Sequence, residues 1–228
     1  MQPVAAAIDN ATSYYNAAEY LLQNGEFQRA VNLFDKALTE NTTMMEKSGT
    51  IIYIYSDKAG ALLQLERYDE SLTTADQGLA IDNTYPVLWN NKGYALYKLG
   101  RYQEAIDAYD KAIRKATSIK ESLNKSAGET DSLVDSLPKY LTNKGDALYD
   151  SGRYQEAIDT YTKALTEAPG YTRATEGLAR AQQKAPSLSP VMIIAVIAIV
   201  AVGGGAAYYV LKRKPTDDST GKKKGKEK

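Results

Sequence analysis

One short string recurs along the chain and limits what the chain can fold into. "GEFQRAVNLFDKAL" starts at Gly25, "GRYQEAIDAYDKAI" at Gly100 and "GRYQEAIDTYTKAL" at Gly152, with a weaker copy, "ERYDESLTTADQGL", from Glu66. The aromatic that follows the turn falls at Phe27, Tyr68, Tyr102 and Tyr154, at intervals of 41, 34 and 52 residues. Apolar residues within each half-unit recur with the period of an amphipathic helix. Such a unit cannot bury its apolar face alone, so copies must stack on one another.

The pattern resembles the tetratricopeptide repeat, a helix–turn–helix unit of about 34 residues. The third unit supplies Trp89, Gly93, Tyr102, Ala105, Tyr109 and Ala112 at the family's large, small and aromatic places. The fourth supplies Leu141, Gly145, Tyr154, Ala157, Tyr161, Ala164 and Pro169, and the first Tyr14, Ala18, Phe27, Ala30, Phe34 and Ala37. The second is degenerate, with Tyr55, Ala59, Tyr68, Ser71, Ala75 and Gly78. The resemblance implies an all-α, right-handed solenoid of four repeats, at about 11–44, 52–85, 86–119 and 138–171, with an insertion at 120–137. Residues 171–185 read as a capping helix with Tyr171, Ala174, Leu178 and Ala181 on one face, closing the last exposed core.

Physical chemistry points the same way. Gly93 and Gly145 each cost a helix roughly 1 kcal/mol, which makes sense only where another helix packs too close for a side chain. Ala105 and Ala157 are the expected neighbours at that spot, with Tyr102 and Tyr154 filling the wedge between the helices. Pro86 and Pro138 stand at the expected first helical position, where a missing N–H costs nothing. The first interval carries 7 residues beyond the family period and the last carries 18. Seven residues are about two helical turns, so the helices around "ENTTMMEKSGT" are expected to be longer. The 18 extra residues are expected to prolong a helix and then form a loop.

A second feature follows the repeats. Val191 to Leu211 is 21 residues without a charge, about 30 Å of helix at 1.5 Å per residue, the thickness of a hydrocarbon core. Tyr208 and Tyr209 lie near one end, where interfacial aromatics belong. The reading is a single transmembrane helix at 191–211, joined to the cap by a linker at 186–190 and followed by a basic tail at 212–228. Ala201, Gly203, Gly205 and Ala207 are spaced to let two such spans approach as a homodimer, although small residues are common in membrane helices generally. The tail carries 8 Lys and Arg against 3 Asp and Glu. The positive-inside rule puts that tail in the cytoplasm and the repeats outside it. "VAAA" in the N-terminal segment, residues 1–10, resembles the small-residue end of a signal peptide. Sequons at Asn10, Asn41 and Asn124 agree weakly with an extracytoplasmic domain. The alternative is a tail-anchored protein with cytoplasmic repeats.

Repeats of this family bind along their concave face, so the resemblance implies a protein or peptide partner. The family's geometry places Tyr15 and Glu19 of the first unit on that face, then Asn90, Asn91, Tyr94 and Tyr97 of the third, and Lys139, Asn143, Asp146 and Tyr149 of the fourth. Asparagine can pair with a peptide backbone from both ends of its amide, and tyrosine offers a flat surface with a polar tip. One subclass clamps a chaperone's C-terminal carboxylate with lysines and asparagines from three successive units. The matched places here hold Ser56, Gly60, Asn91, Lys139 and Asn143, of which only Asn91 and Lys139 fit, so that clamp is not expected. The chain has no histidine and no cysteine, which removes the commonest zinc ligands and thiol nucleophiles. Acidic pairs such as Asp146 with Asp150 lack a closed pocket to tune them. The reading is therefore no enzyme, no cofactor and no metal. A mildly acidic body with a basic tail is no nucleic-acid footprint.

Overall fold

A computed structural model describes residues 4–40, 49–125 and 135–185. The proposed span at 191–211 and the sequons at Asn41 and, for its side chain, Asn124 lie outside what is described. Among the described residues there are nine helices and no strand, and no helix is long and apolar enough to cross a membrane. The helices are α1 (Val4–Gln23), α2 (Phe27–Thr39), α3 (Ile51–Gln64), α4 (Tyr68–Ile81), α5 (Pro86–Lys98), α6 (Tyr102–Lys125), α7 (Leu137–Asp150), α8 (Tyr154–Glu167) and α9 (Thr172–Lys184). They pack as four successive pairs, α1 with α2 through α7 with α8, and α9 closes the stack against α8 and α7. Helix α1 begins at Val4, so residues 4–10 continue the first repeat helix, and "VAAA" is part of it. Pro86 opens α5, while Pro138 is the second residue of α7, still within the turn whose amides have no partner in the helix.

Each pair is joined by the same tight turn. The Gly25 amide donates to Leu22 O at 3.0 Å and the Glu26 amide to Leu21 O at 2.8 Å. The same two bonds recur at Glu66 and Arg67, at Gly100 and Arg101, and at Gly152 and Arg153. This is the glycine-type helix stop, which needs one residue with positive φ. Glycine provides it at φ 74, 74 and 82 in three of the turns, and Glu66 is forced into it at φ 57 in the degenerate second unit.

The glycines inside the helices have a different neighbour from the expected one. A Cβ on Gly93 would lie 2.7 Å from the Tyr109 ring, and one on Gly145 would lie 2.6 Å from the Tyr161 ring. The missing side chains make room for the tyrosine late in each second helix, not for Ala105 or Ala157. Tyr109 and Tyr161 are fully buried, whereas Tyr102 and Tyr154 sit half-exposed at the edge, their rings against Tyr97 and Tyr149. The reason is size. Alanines at the closest approach leave a gap that only a ring from one turn further along can fill. Tyr161 also presses on the cap, where a Cβ on Gly177 would come within 2.4 Å of it.

Between units, lysines on the first helices reach back to aspartates on the preceding second helix. Lys58 meets Asp35 at 2.5 Å, Lys92 meets Asp76 at 2.5 Å, and Lys144 meets Asp110 at 2.6 Å. The separations in sequence are 23, 16 and 34 residues, and removing the insertions of 7 and 18 leaves the same value for all three. Both insertions therefore leave the register of the stack intact. Helix α2 stops at Thr39 and is no longer than α4, so the first insertion does not lengthen it; the extra residues fall in 41–48, outside those described. The second does prolong a helix, since α6 runs 24 residues to Lys125. Lys120, on the added part, pairs with Glu167 at the end of α8 at 2.5 Å.

Replacing Glu66 with glycine should relieve the left-handed backbone, whose cost for a residue with a side chain is roughly 1–2 kcal/mol. Glu66→Gly is expected to stabilise the chain by about 0.5–1 kcal/mol after the extra unfolded-state entropy of glycine is subtracted. The midpoint of urea unfolding should rise; a fall would show that this turn is not strained.

Candidate functional site

The first helices α1, α3, α5 and α7 gather around a groove. Its two adjoining cavities share Gly60, Gln64, Asn91 and Lys139. The first, about 340 Å³, is lined by Leu22, Phe27, Asp57 and Val87 besides the shared residues. The second, about 260 Å³, adds Asn90, Tyr94, Asn143 and Arg173.

The floor is stitched by polar side-chain contacts between successive first helices and on to the cap. The Tyr15 hydroxyl of α1 donates to Asp57 of α3 at 3.2 Å. The Asn91 amide of α5 donates to Ser56 O of α3 at 3.1 Å. The Asn143 amide of α7 donates to Asn90 Oδ1 of α5 at 2.8 Å. Arg173 of α9 donates to Asp146 of α7 at 2.6 Å.

Five of the ten residues expected on this face line the cavities: Asn90, Asn91, Tyr94, Lys139 and Asn143. Asn90, Asn91 and Asn143 are largely buried and use one end of their amides on each other or on backbone. Tyr15 and Glu19 stand behind Asp57, with the Tyr15 hydroxyl 3.0 Å from the Glu19 carboxylate. The other three are not brought into the groove. Tyr97 donates to Asp150, Tyr149 stacks on Tyr154 under the Arg180 guanidinium, and Asp146 is buried. Asp146 takes hydrogen bonds from Arg173 and from the Tyr161 hydroxyl, at 2.6 Å each. It ties the cap to the fourth repeat and does not face the cavities.

Ser56, Asp57, Gly60, Gln64 and Arg173 were not among the ten residues expected on this face, although Ser56 and Gly60 stood at matched places of the carboxylate clamp. The first four belong to the degenerate unit, yet the 34-residue step from Asn90 and Asn91 lands on Ser56 and Asp57. Arg173 comes from the capping helix, which carries no repeat pattern to count from. Among the described residues no group of acidic side chains is placed to hold a metal ion.

Electrostatics single out Asp57. Burial pushes its carboxyl up from 3.8 to about 6, the Glu19 charge adds to this, and the Tyr15 hydrogen bond opposes it. Burial and the charge of Asp57 in turn push the Tyr15 hydroxyl up.

Three stretches match family models of the tetratricopeptide repeat, 86–116 and 138–171 one of them and 10–40 another. The chain thus carries tetratricopeptide repeats, and its fold is theirs. It is similar to a crystal structure of MamA protein at 17% identity and TM-score 0.58, covering 91% of this chain and 99% of that one. It is also similar to MamA from Desulfovibrio magneticus RS-1 at 16% identity and TM-score 0.59, covering 92% and 98%. Identities this low show a shared fold and nothing more. No curated protein sequence matches the chain.

Two variants test the site. A carboxyl whose folded value is raised binds its proton more tightly folded than unfolded, so its contribution favours folding at low pH and is lost as pH climbs from about 4 to 6. The full shift at 1.36 kcal/mol per pKa unit, reduced for remaining solvent access, leaves about 1–2 kcal/mol. Asp57→Asn should therefore be more stable than the parent by about that amount at pH 7 and equal to it near pH 4; equal stability at both would refute a destabilising charge. The second contrast uses repeat symmetry. Tyr161 donates to Asp146, but the place 15 residues before Tyr109 holds Tyr94, and the Tyr109 hydroxyl has no partner among the described residues. Tyr161→Phe should cost about 1–3 kcal/mol, while Tyr109→Phe should be neutral or stabilising. Equal losses in denaturant titrations would show that a water satisfies Tyr109.

Proposed function

We propose that the chain is a membrane-anchored scaffold whose repeats hold a peptide segment or partner protein in the groove of first helices. The observation that carries the reading is the groove itself. Buried asparagines at its floor spend only part of their hydrogen-bonding capacity on the fold, and Lys139 projects into both cavities with no partner among the described residues. A wall of amide, hydroxyl and aliphatic groups with few fixed charges suits an extended backbone better than a small charged substrate. The uncharged run from Val191 to Leu211 supports a single span, and the lysines after it support a cytoplasmic tail with the repeats on the other side.

Gly60 provides the test. It lines both cavities, and a Cβ there would meet only Asn91 Nδ2, at 3.9 Å, so a larger side chain fills the groove without striking the core. Intact cells are treated with a membrane-impermeant crosslinker, and adducts of the parent are compared with those of Gly60→Leu. An adduct formed by the parent and lost in the variant is expected. Adducts that require a permeable crosslinker would place the repeats in the cytoplasm, as in a tail-anchored adaptor. Adducts indifferent to the variant would remove the groove from the function.

A further inference from the structure

The lysines at matched places on the first helices, Lys58, Lys92 and Lys144, all pair with an aspartate of the preceding unit. Lys139 has no such aspartate, and among the described residues it touches no carboxylate. Asp57 lines the same cavity, and the Tyr15 hydroxyl behind it faces both Asp57 and Glu19. A hydroxyl has one proton, so it can donate to only one of the two carboxylates at a time. Neither has a cationic partner among the described residues. Lys139 and Asp57 line one cavity of about 340 Å³ without meeting as an ion pair. The fold thus leaves two complementary vacancies in one groove: a cation to be matched and an anion to be matched.

We infer that the groove reads a charge pair on an extended peptide, a lysine or arginine against Asp57, with Glu19 behind it, and an aspartate or glutamate against Lys139. This rests on the reading of the groove as a peptide site. Side chains of an extended segment share a face at every second residue, about 7 Å apart. One cavity holds both walls, so the two charges of the ligand stand two or four positions apart. A single charge of either sign satisfies one wall and leaves the other exposed to like-for-like competition with solvent, so the pair is selected over its halves. The pair is internal to the peptide and needs no free C-terminal carboxylate, which separates it from the clamp, of whose places this chain matches only Asn91 and Lys139.

The test is a display selection of random dodecapeptides on the immobilised full chain, with Gly60→Leu as the counter-selection. The expected result is enrichment of sequences with a basic and an acidic residue two or four positions apart. The best peptide, capped at both ends, should bind Asp57→Asn and Lys139→Gln at least tenfold more weakly than the parent. Asp57→Asn is expected to be the more stable protein and Lys139 is exposed, so unfolding does not account for a loss. Peptides that bind the parent over Gly60→Leu but lack the charge pair, or that are indifferent to both substitutions, would overturn the charge-pair inference and leave the peptide groove standing. No peptide preferring the parent over Gly60→Leu would overturn both.

Discussion

The spacing between helices rests on tyrosine rings seated where glycines omit a side chain. Tyr109 fills the notch at Gly93, and Tyr161 fills notches at Gly145 and Gly177 together, so one ring sets the distance between two helices of the fourth repeat and the cap. A methyl group at any of these glycines would come within 2.4–2.7 Å of a ring carbon, well inside contact distance. The groove depends on this packing. Asn91 and Asn143 bridge from one first helix to the next and form its polar floor.

Around that core, the lysine–aspartate contacts fix which turn of each unit meets which turn of its neighbour. Exposed ion pairs of this kind add about 0–1 kcal/mol each, so their weight lies in register more than in stability. Their constancy across two insertions shows where the chain tolerates length. Extra residues enter only between a second helix and the next first helix, on the side away from the turn that closes each pair. The added turns of α6 lie over the end of α8 through Lys120 and Glu167, so the described part of that insertion buttresses the fourth repeat.

The fold was legible because its signal is repeated. Four copies of one pattern placed every helix pair, and the cap followed from the need to cover the last apolar face. What the pattern could not show was which aromatic met which glycine. The period puts Ala105 and Tyr109 on the same face of α6, and choosing between them takes the volume of the gap, which is a property of two helices at once. The site was half legible for a related reason. Counting along intact units found Asn90, Asn91, Lys139 and Asn143, but the same counting placed Asp146 in the groove, where a buried network with Tyr161 and Arg173 claims it instead. Asp57 was within reach of the same count and was passed over because its unit looked degenerate.

That degeneracy is itself informative when the units are laid over one another. The packing places are held in common: Gly93 and Gly145, Ala105 and Ala157, Tyr109 and Tyr161, Lys92 and Lys144, Arg101 and Arg153. The cavity-lining places differ: Asn90 stands where the second unit has Ser56, Asn91 and Asn143 where it has Asp57, and Tyr94 where it has Gly60. The third and fourth units solve the same packing problem with the same residues, whereas the second has Ala59 and Ala75 at the places of Gly93 and Tyr109. The second unit supplies both the smallest residue of the first cavity's wall, Gly60, and its carboxylate, Asp57, so its departures from the other units open that cavity and place a negative charge on it.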